Sequence, residues 1–462
     1  MKNFYSKFIG DKAFYKKILI VSVPIMLQNG ITNFVGFLDN IMIGQLGTNQ
    51  MSGVSIINQL FFVFALCIFG AVSGVGIFTS QFFGQGNTKG VQETFRFKHY
   101  LVLIITIIGI LLFFIFGDSF IQLFLHEGSN SGDIPKTLAY AKDYLCILLF
   151  GFIPYAISQV YASTLRETGK TMLPMIASSI AVLINLVLNY LLIFGKFGFP
   201  ELGVRGAAIA TVIARVVEVL IIVFWVHLHT HTHPFILRIY RSLEIPKQLA
   251  WQIAKKGLPL FINEGFWALG MTALLQSYSM RGLAVVGGLN ISNTINNVFN
   301  IVFIALGNTL AIIVGQLLGA NKMEEAVDSD RKIIAFSVIT CIFVGIILIF
   351  TAPIFPKFYN TTEEVRALAT TFIRTTGFLM PLYGFLHSTY FTLRSGGKTL
   401  ITFLFDSVFV WTIAIPTAYL LIRFTTLPIT HIFIIVGLTD IIKCVIGFIF
   451  VKKKIWVQNI VS

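Results

Sequence analysis

The sequence predicts an all-α integral membrane protein of twelve transmembrane helices, arranged as two six-helix lobes related by a pseudo-twofold axis along the membrane normal. Three observations predict it. Of 462 residues, 56% are apolar and only 12% charged. A soluble domain carries roughly 25% charged residues, so polar side chains here are too few to cover a globule in water. Apolar stretches of the ~20 residues needed to cross a bilayer recur along the whole chain. The chain also repeats itself. Ser22-Val23-Pro24-Ile25-Met26-Leu27-Gln28-Asn29-Gly30 returns as Gly257-Leu258-Pro259-Leu260-Phe261-Ile262-Asn263-Glu264-Gly265. At the same offset Gly53 meets Gly288, Asn58 meets Asn293, Gln81 meets Gln316, Gly84 meets Gly319 and Arg96 meets Arg331. A repeat of half the chain in so apolar a protein points to a two-lobed transporter with its pathway at the symmetry axis.

The elements follow in order. The first six spans are expected at 16–43, 53–82, 99–117, 138–165, 171–195 and 204–228. The second six are expected at 252–280, 284–318, 333–352, 367–393, 400–422 and 428–451. The N-terminus has lysines but no short apolar run with a small-residue cleavage site, so Ile18 onward reads as a retained first span. In the later half of each copy Thr164-Leu165-Arg166 matches Thr392-Leu393-Arg394, and Gly169-Lys170-Thr171 matches Gly397-Lys398-Thr399, at a slightly shorter offset. The slip falls where the outer loops differ in length, 118–137 against 353–366; loops tolerate such changes and spans do not. The lobes divide as 1–235 and 236–462, joined by a basic linker over 229–250.

Charge sets the orientation. With the N-terminus inside, the inner segments hold most of the Lys and Arg, among them Lys2, Lys12, Lys16, Lys17, Arg96, Lys98, Arg166, Lys170, Arg238, Arg241, Lys255, Lys256, Arg394 and Lys452-Lys453-Lys454. The outer segments hold far fewer, such as Lys136, Arg205 and Lys357. This bias places both termini in the cytoplasm. Six spans per copy then insert both copies the same way up. The net charge of +14 has the same origin and does not indicate nucleic acid.

Several chemistries lack their residues. Cys67, Cys146, Cys341 and Cys444 sit in apolar runs without metal-ligand spacing and read as small core residues. His227, His229, His231 and His233 would share a face if extended, which allows a metal site, but diverge on a helix; the other reading is a linker at headgroup level. Gly84-Gln85-Gly86 is not followed by the lysine of a phosphate loop. No enzyme motif and no cofactor are expected, and any pumping draws on an ion gradient.

Polar residues inside the spans are the candidates for function. A carboxylate at the bilayer centre costs at least ~2.5–3.5 kcal/mol and persists only if paired, protonated or facing a wet cavity. Asp39 in span 1, Glu264 in span 7 and Asp406 in span 11 are such residues. Glu264 replaces Asn29 of the first copy, and Asp406 replaces Ser178; Asp39 could also be a simple helix-end group. Gln28 and Asn33 accompany Asp39 on its helix. In span 8 Asn290, Asn293, Asn297 and Asn300 make a carboxamide stripe on one helical face, which reads as a cavity lining or as interhelical glue. Asn58, Gln159, Asn185, Asn189, Trp267, Tyr383 and His387 complete the candidate lining. Arg215 with Glu218, and Asp440 with Lys443, read as self-neutralising pairs one turn apart.

Pro24 through Gln28, Phe37-Leu38-Asp39-Asn40-Ile41-Met42-Ile43-Gly44, Leu165-Arg166-Glu167-Thr168-Gly169-Lys170-Thr171, Gly203-Val204-Arg205-Gly206 and Gly315-Gln316-Leu317-Leu318-Gly319-Ala320-Asn321 together resemble the multidrug and toxic compound extrusion (MATE) family. The resemblance covers nearly the whole chain. It implies a rocker-switch antiporter of the bacterial cytoplasmic membrane, working as a monomer in lipid, that exports small organic cations or amphipathic compounds in exchange for H⁺ or Na⁺. It assigns coupling to the acidic residues of spans 1 and 7, here Asp39 and Glu264. Some members complete a first-lobe cation site with an Asn and an Asp in span 5, where this chain has Asn185 and Asn189 and so one charge fewer. Others carry an Asp in span 10 that aligns with Tyr383, and Asp406 is its candidate replacement. The alternative is a lipid-linked oligosaccharide flippase of the same superfamily, for which extra spans or a more cationic cavity would be expected.

Overall fold

The computed structural model describes residues 7–124, 133–242 and 244–462; Lys2 and the outer-loop segment 125–132 lie outside it. Among these residues the chain is helical, with twelve long helices in sequence. They are α1 Lys12–Gly44, α2 Thr48–Gly84, α3 Thr88–Gln122, α4 Ile134–Glu167, α5 Met172–Phe194 and α6 Val204–Leu228. The second set is α7 Lys247–Ser279, α8 Leu283–Gly319, α9 Met323–Thr351, α10 Glu363–Ser395, α11 Thr399–Phe424 and α12 Ile429–Lys452.

Eleven of the twelve are long and apolar enough to cross a membrane. The exception is α10, which carries Arg366, Arg374 and a run of threonines. Much of this helix is enclosed by protein, with Phe372, Ile373, Met380 and Leu393 fully buried, while Arg374 itself is exposed. The outward helices read the opposite way. Along α3, Leu103, Ile104, Ile107, Ile108 and Leu111 are all exposed, a row that only lipid covers at no cost in hydration. Helix ends follow local chemistry. Asp133 accepts a hydrogen bond from the Lys136 N–H at the start of α4, and Thr362 does so from Val365 at the start of α10. Gly195 ends α5 with φ +62°, a left-handed conformation that costs a side chain dearly.

Two compact units emerge. One contains Leu27–Thr79 and Thr88–Ile253. Its interior has an aromatic cluster in which the Phe64 and Phe152 rings stack at 4.2 Å, with Phe61 and Tyr155 at their edges. Toward the end that the charge bias assigns to the cytoplasm, the fully buried Lys98 pairs with Glu167 and also donates to Ser163 Oγ at 3.0 Å and Thr164 Oγ1 at 3.1 Å. Gly76 makes room for that carboxylate, since a Cβ there would overlap the Glu167 side chain.

The other unit contains the described chain through Met26, Ser80–Asn87 and Ala254–Ser462. Thus α1 changes unit two residues after Pro24, where a missing amide proton weakens the helix. Ile18 of α1 packs with Leu306, Leu310, Ile333, Leu393 and Trp456 in one core. The ends of α2 and α8, which the charge bias assigns to the cytoplasm, meet backbone to backbone. A Cβ on Gly84 would overlap the Gln316 carbonyl, and one on Gly319 would overlap the Gln81 carbonyl. These four residues are repeat mates, so the contact is itself twofold. Gln81 fastens the chain beyond α12 to this junction. Its Nε2 donates to the Ser395 carbonyl at 2.9 Å and the Gln458 carbonyl at 3.2 Å, and its Oε1 accepts from the Ile460 N–H at 2.8 Å.

Candidate functional site

The first polar centre lies in the unit of α3–α6. α1 carries Asp39 and α5 carries Asn185 and Asn189 one turn apart, so both carboxamides face one carboxylate. Asn189 Nδ2 donates to Asp39 Oδ1 at 2.7 Å. Asn189 is 1% exposed, and its Oδ1 has no partner among the described residues. Asn185 fits in two orientations, because its amide oxygen and nitrogen occupy nearly the same shape. With nitrogen turned inward it donates to Asp39 Oδ2 at 2.9 Å and to Oδ1 at 3.2 Å, which suits an ionised carboxylate. With oxygen turned inward it accepts from Asn189 Nδ2 at 3.2 Å, and its own Nδ2 donates to Thr211 Oγ1 on α6 at 3.4 Å. Oxygen facing oxygen requires a positive charge between them, either a proton on Asp39 or a bound cation. Asp39 is therefore more than a helix-end group. Thr211 is legible only in the structure, because its partner Asn185 lies on another helix.

Arg215 stands on the same α6 helix. Its guanidinium lies over the Phe61 ring at 4.1 Å and the Tyr155 ring at 4.8 Å. Among the described residues it makes no ion pair with Glu218, contrary to the self-neutralising pair expected; the two aromatic faces take the cation instead.

The second polar centre lies in the other unit. Asn263 of α7 donates to Asp406 Oδ2 at 3.1 Å and to the Tyr390 hydroxyl at 3.4 Å. Its Oδ1 accepts from Ser407 Oγ at 2.7 Å, which fixes the amide with nitrogen toward the carboxylate. Glu264 follows Asn263 directly on α7 and is half-buried. Asp406 sits in a π-helical turn, Leu404–Val408, followed by a second at Val410–Ala414. Pro416 lies just beyond; it lacks an amide proton and its ring crowds the carbonyl four residues back, which widens the turn before it. Lys443 of α12 reaches Asp406 Oδ1 at 3.4 Å, not Asp440 on its own helix. The expected Asp440–Lys443 pair is thus replaced by one between helices, and Asp406 is a paired acid.

The other expected residues scatter. His387 stacks on Phe303 at 4.3 Å and Tyr383 meets the same ring at 6.1 Å. Asn290, Asn293 and Asn297 are exposed on α8, while Asn300 is half-buried. Asn296, which the stripe passes over, is the buried one and bonds Ser292 and Thr376 at 3.0 Å each. Asn33 and Asn58 are exposed; Gln28, Gln159 and Trp267 are half-buried. Cys146 is exposed and Cys67 and Cys444 half-buried, so only Cys341 behaves as the core residue expected. The histidine run begins inside α6 and does not run extended. His229 stacks on Trp225 at 4.3 Å, and His227 bonds the Tyr240 hydroxyl at 3.2 Å. Among the described residues no three His, Cys, Asp or Glu side chains converge to hold a metal.

The family model described as MatE matches residues 24–191 and 261–420, one segment in each copy of the repeat. The chain belongs to the MATE family. This MATE protein is therefore a multi-pass membrane transporter and not an enzyme. It is 28% identical over 455 residues to a probable multidrug resistance protein NorM of Oceanobacillus iheyensis, covering 95% of this chain and 97% of that one. It is 26% identical over 413 residues to the probable NorM of Thermotoga maritima, covering 88% and 86%. In fold it is similar to an outward-facing multidrug resistance MATE transporter of the MOP superfamily, with TM-score 0.84, 18% identity and 97% of each chain covered.

Proposed function

We propose that this MATE protein is a secondary antiporter of the bacterial cytoplasmic membrane, with both termini inside. It exports organic compounds, often cationic or amphipathic, in exchange for H⁺ or Na⁺, and works as a monomer in lipid. Two six-helix lobes, 1–235 and 236–462, alternate access to a central path. The multidrug resistance named for the NorM relatives supports the substrate class.

One observation carries the coupling. Asp39 faces Asn185 and Asn189, and a buried Asn189 oxygen is left without a partner among the described residues. A proton or a sodium ion supplies the missing positive charge. Its arrival reverses Asn185, withdrawing a donor from Asp39 on α1 and offering one to Thr211 on α6. The charge state of one carboxylate thereby changes the bonding among three helices. A cation moves the transport equilibrium only through unequal affinity for its two states, and this exchange of bonds supplies that inequality. Glu264 and Asp406 add a second, unequal centre. The carboxamides Asn290, Asn293 and Asn297 are exposed, which suits a wetted lining.

The test is efflux of several organic cations from reconstituted vesicles, with pH and Na⁺ gradients imposed separately. Uphill export under at least one gradient is expected. Export under neither, with transport down the substrate gradient only, would contradict the reading.

A further inference from the structure

Asp406 is not simply a paired acid. The Lys443 ammonium lies 3.4 Å from its Oδ1, 5.5 Å from the Phe405 ring centre and 5.4 Å from that of Phe409. Both rings are 6% exposed, and the lysine side chain is 10% exposed. A carboxylate with two aromatic faces around one nitrogen is the constellation that recognises alkylated ammonium groups. We infer that Asp406, Phe405 and Phe409 form a binding cage for an organic ammonium, which Lys443 occupies as a tethered stand-in until substrate displaces it.

Three features support the assignment. The cage is built independently of the lysine: Asn263 holds Asp406 Oδ2 at 3.1 Å, Ser407 orients Asn263 at 2.7 Å, and the π-helical turn brings Phe405, Asp406 and Phe409 to one nitrogen. The ion pair is loose. Charge-assisted N–H···O bonds are usually ~2.7–2.9 Å, and this one is 3.4 Å, so the ammonium is not drawn tightly onto the carboxylate. Asp406 is also 22% exposed, so the carboxylate is reachable.

Exchange then follows from hydration. A lysine ammonium is a compact, strongly hydrated charge on a flexible stem. An alkylated ammonium is less hydrated and loses less on entering an aromatic site. The displaced Lys443 need not lose its proton, because Asp440 stands one turn away on its own helix. Arg215 makes the contrast within the same molecule: it too lies over two rings, but among the described residues no carboxylate forms an ion pair with it. The lysine thus keeps Asp406 neutralised between substrates and sets a threshold that only a well-matched cation passes.

This inference rests on the export reading for its substrate class, but binding tests it apart from transport. Tetramethylammonium binding is measured calorimetrically on the full-length protein in nanodiscs. Lys443→Met is expected to tighten it at least tenfold, and adding Asp406→Asn to erase the gain. Lys443→Arg, which keeps a charge and covers the rings more fully, is expected to weaken binding severalfold. If Lys443→Met does not purify, the Arg variant and the Phe409→Leu variant, also expected to bind more weakly, decide. Unchanged affinity in the Met and Arg variants overturns the cage even if vesicles export organic cations. The expected affinity order in a protein that exports under no gradient would instead leave the cage standing and remove the export reading.

Discussion

At the residue scale, two carboxylates meet different fates in similar surroundings. Asp39 is answered by neutral carboxamides on another helix. Asp406 is answered by an ammonium on another helix. Asp39→Asn should retain the fold, since Asn189 keeps a partner, and should reduce gradient-driven export at least tenfold; Asn185→Leu should do nearly as much by cutting the link to Thr211. Vesicle efflux assays read both. Lys98 and Glu167 are a structural counterpart. Removing one partner of such a buried pair costs roughly 3–5 kcal/mol, because the other charge is left uncompensated. Lys98→Met alone should therefore lower the unfolding midpoint in detergent sharply, and Lys98→Met with Glu167→Gln should recover much of it. What was legible in the sequence here was charge in an apolar run, which marked Asp39, Glu264 and Asp406. Partnership was not. Whether Lys443 answers Asp440 or Asp406 depends on how two helices face each other and on a widened turn that spacing rules do not contain.

At the element scale, spacing performed better. Each expected span coincides with an observed helix, because a bilayer fixes helix length and leaves few alternatives. The one helix that fails the apolar test, α10, still coincides with the span expected at 367–393. Two elements carry predictions. Pro24→Ala restores a hydrogen bond where α1 passes from one unit to the other. It should stiffen α1 and slow export severalfold without loss of folded protein, as vesicle assays and size-exclusion profiles would read. In the linker, burial together with Lys170 and His229 lowers the His233 pKa from its usual 6.5. His233 then favours folding when neutral: the contribution is full above about 6.5 and is lost as pH falls through the depressed value. Limited proteolysis of the linker should accelerate between neutral pH and pH ~5, and His233→Asn should remove that acceleration.

At the scale of the whole molecule, the repeat explains both what is shared and what is not. Prolines, glycines and loop motifs agree between copies and build common features, of which the mutual contact of Gln81 and Gly84 with Gln316 and Gly319 is the clearest. The chemistry departs from the repeat. One half sets Asp39 against two carboxamides, and the other sets Asp406 against Lys443. The central claim is that Asp39 is where ion and substrate movements are linked. The most direct measurement adds an organic cation to one side of proteoliposomes and follows the counter-movement of H⁺ or Na⁺, in wild type and in Asp39→Asn. The account predicts coupled ion flux in the wild type and none in the variant, with substrate binding retained. Equal ion flux in both would contradict it.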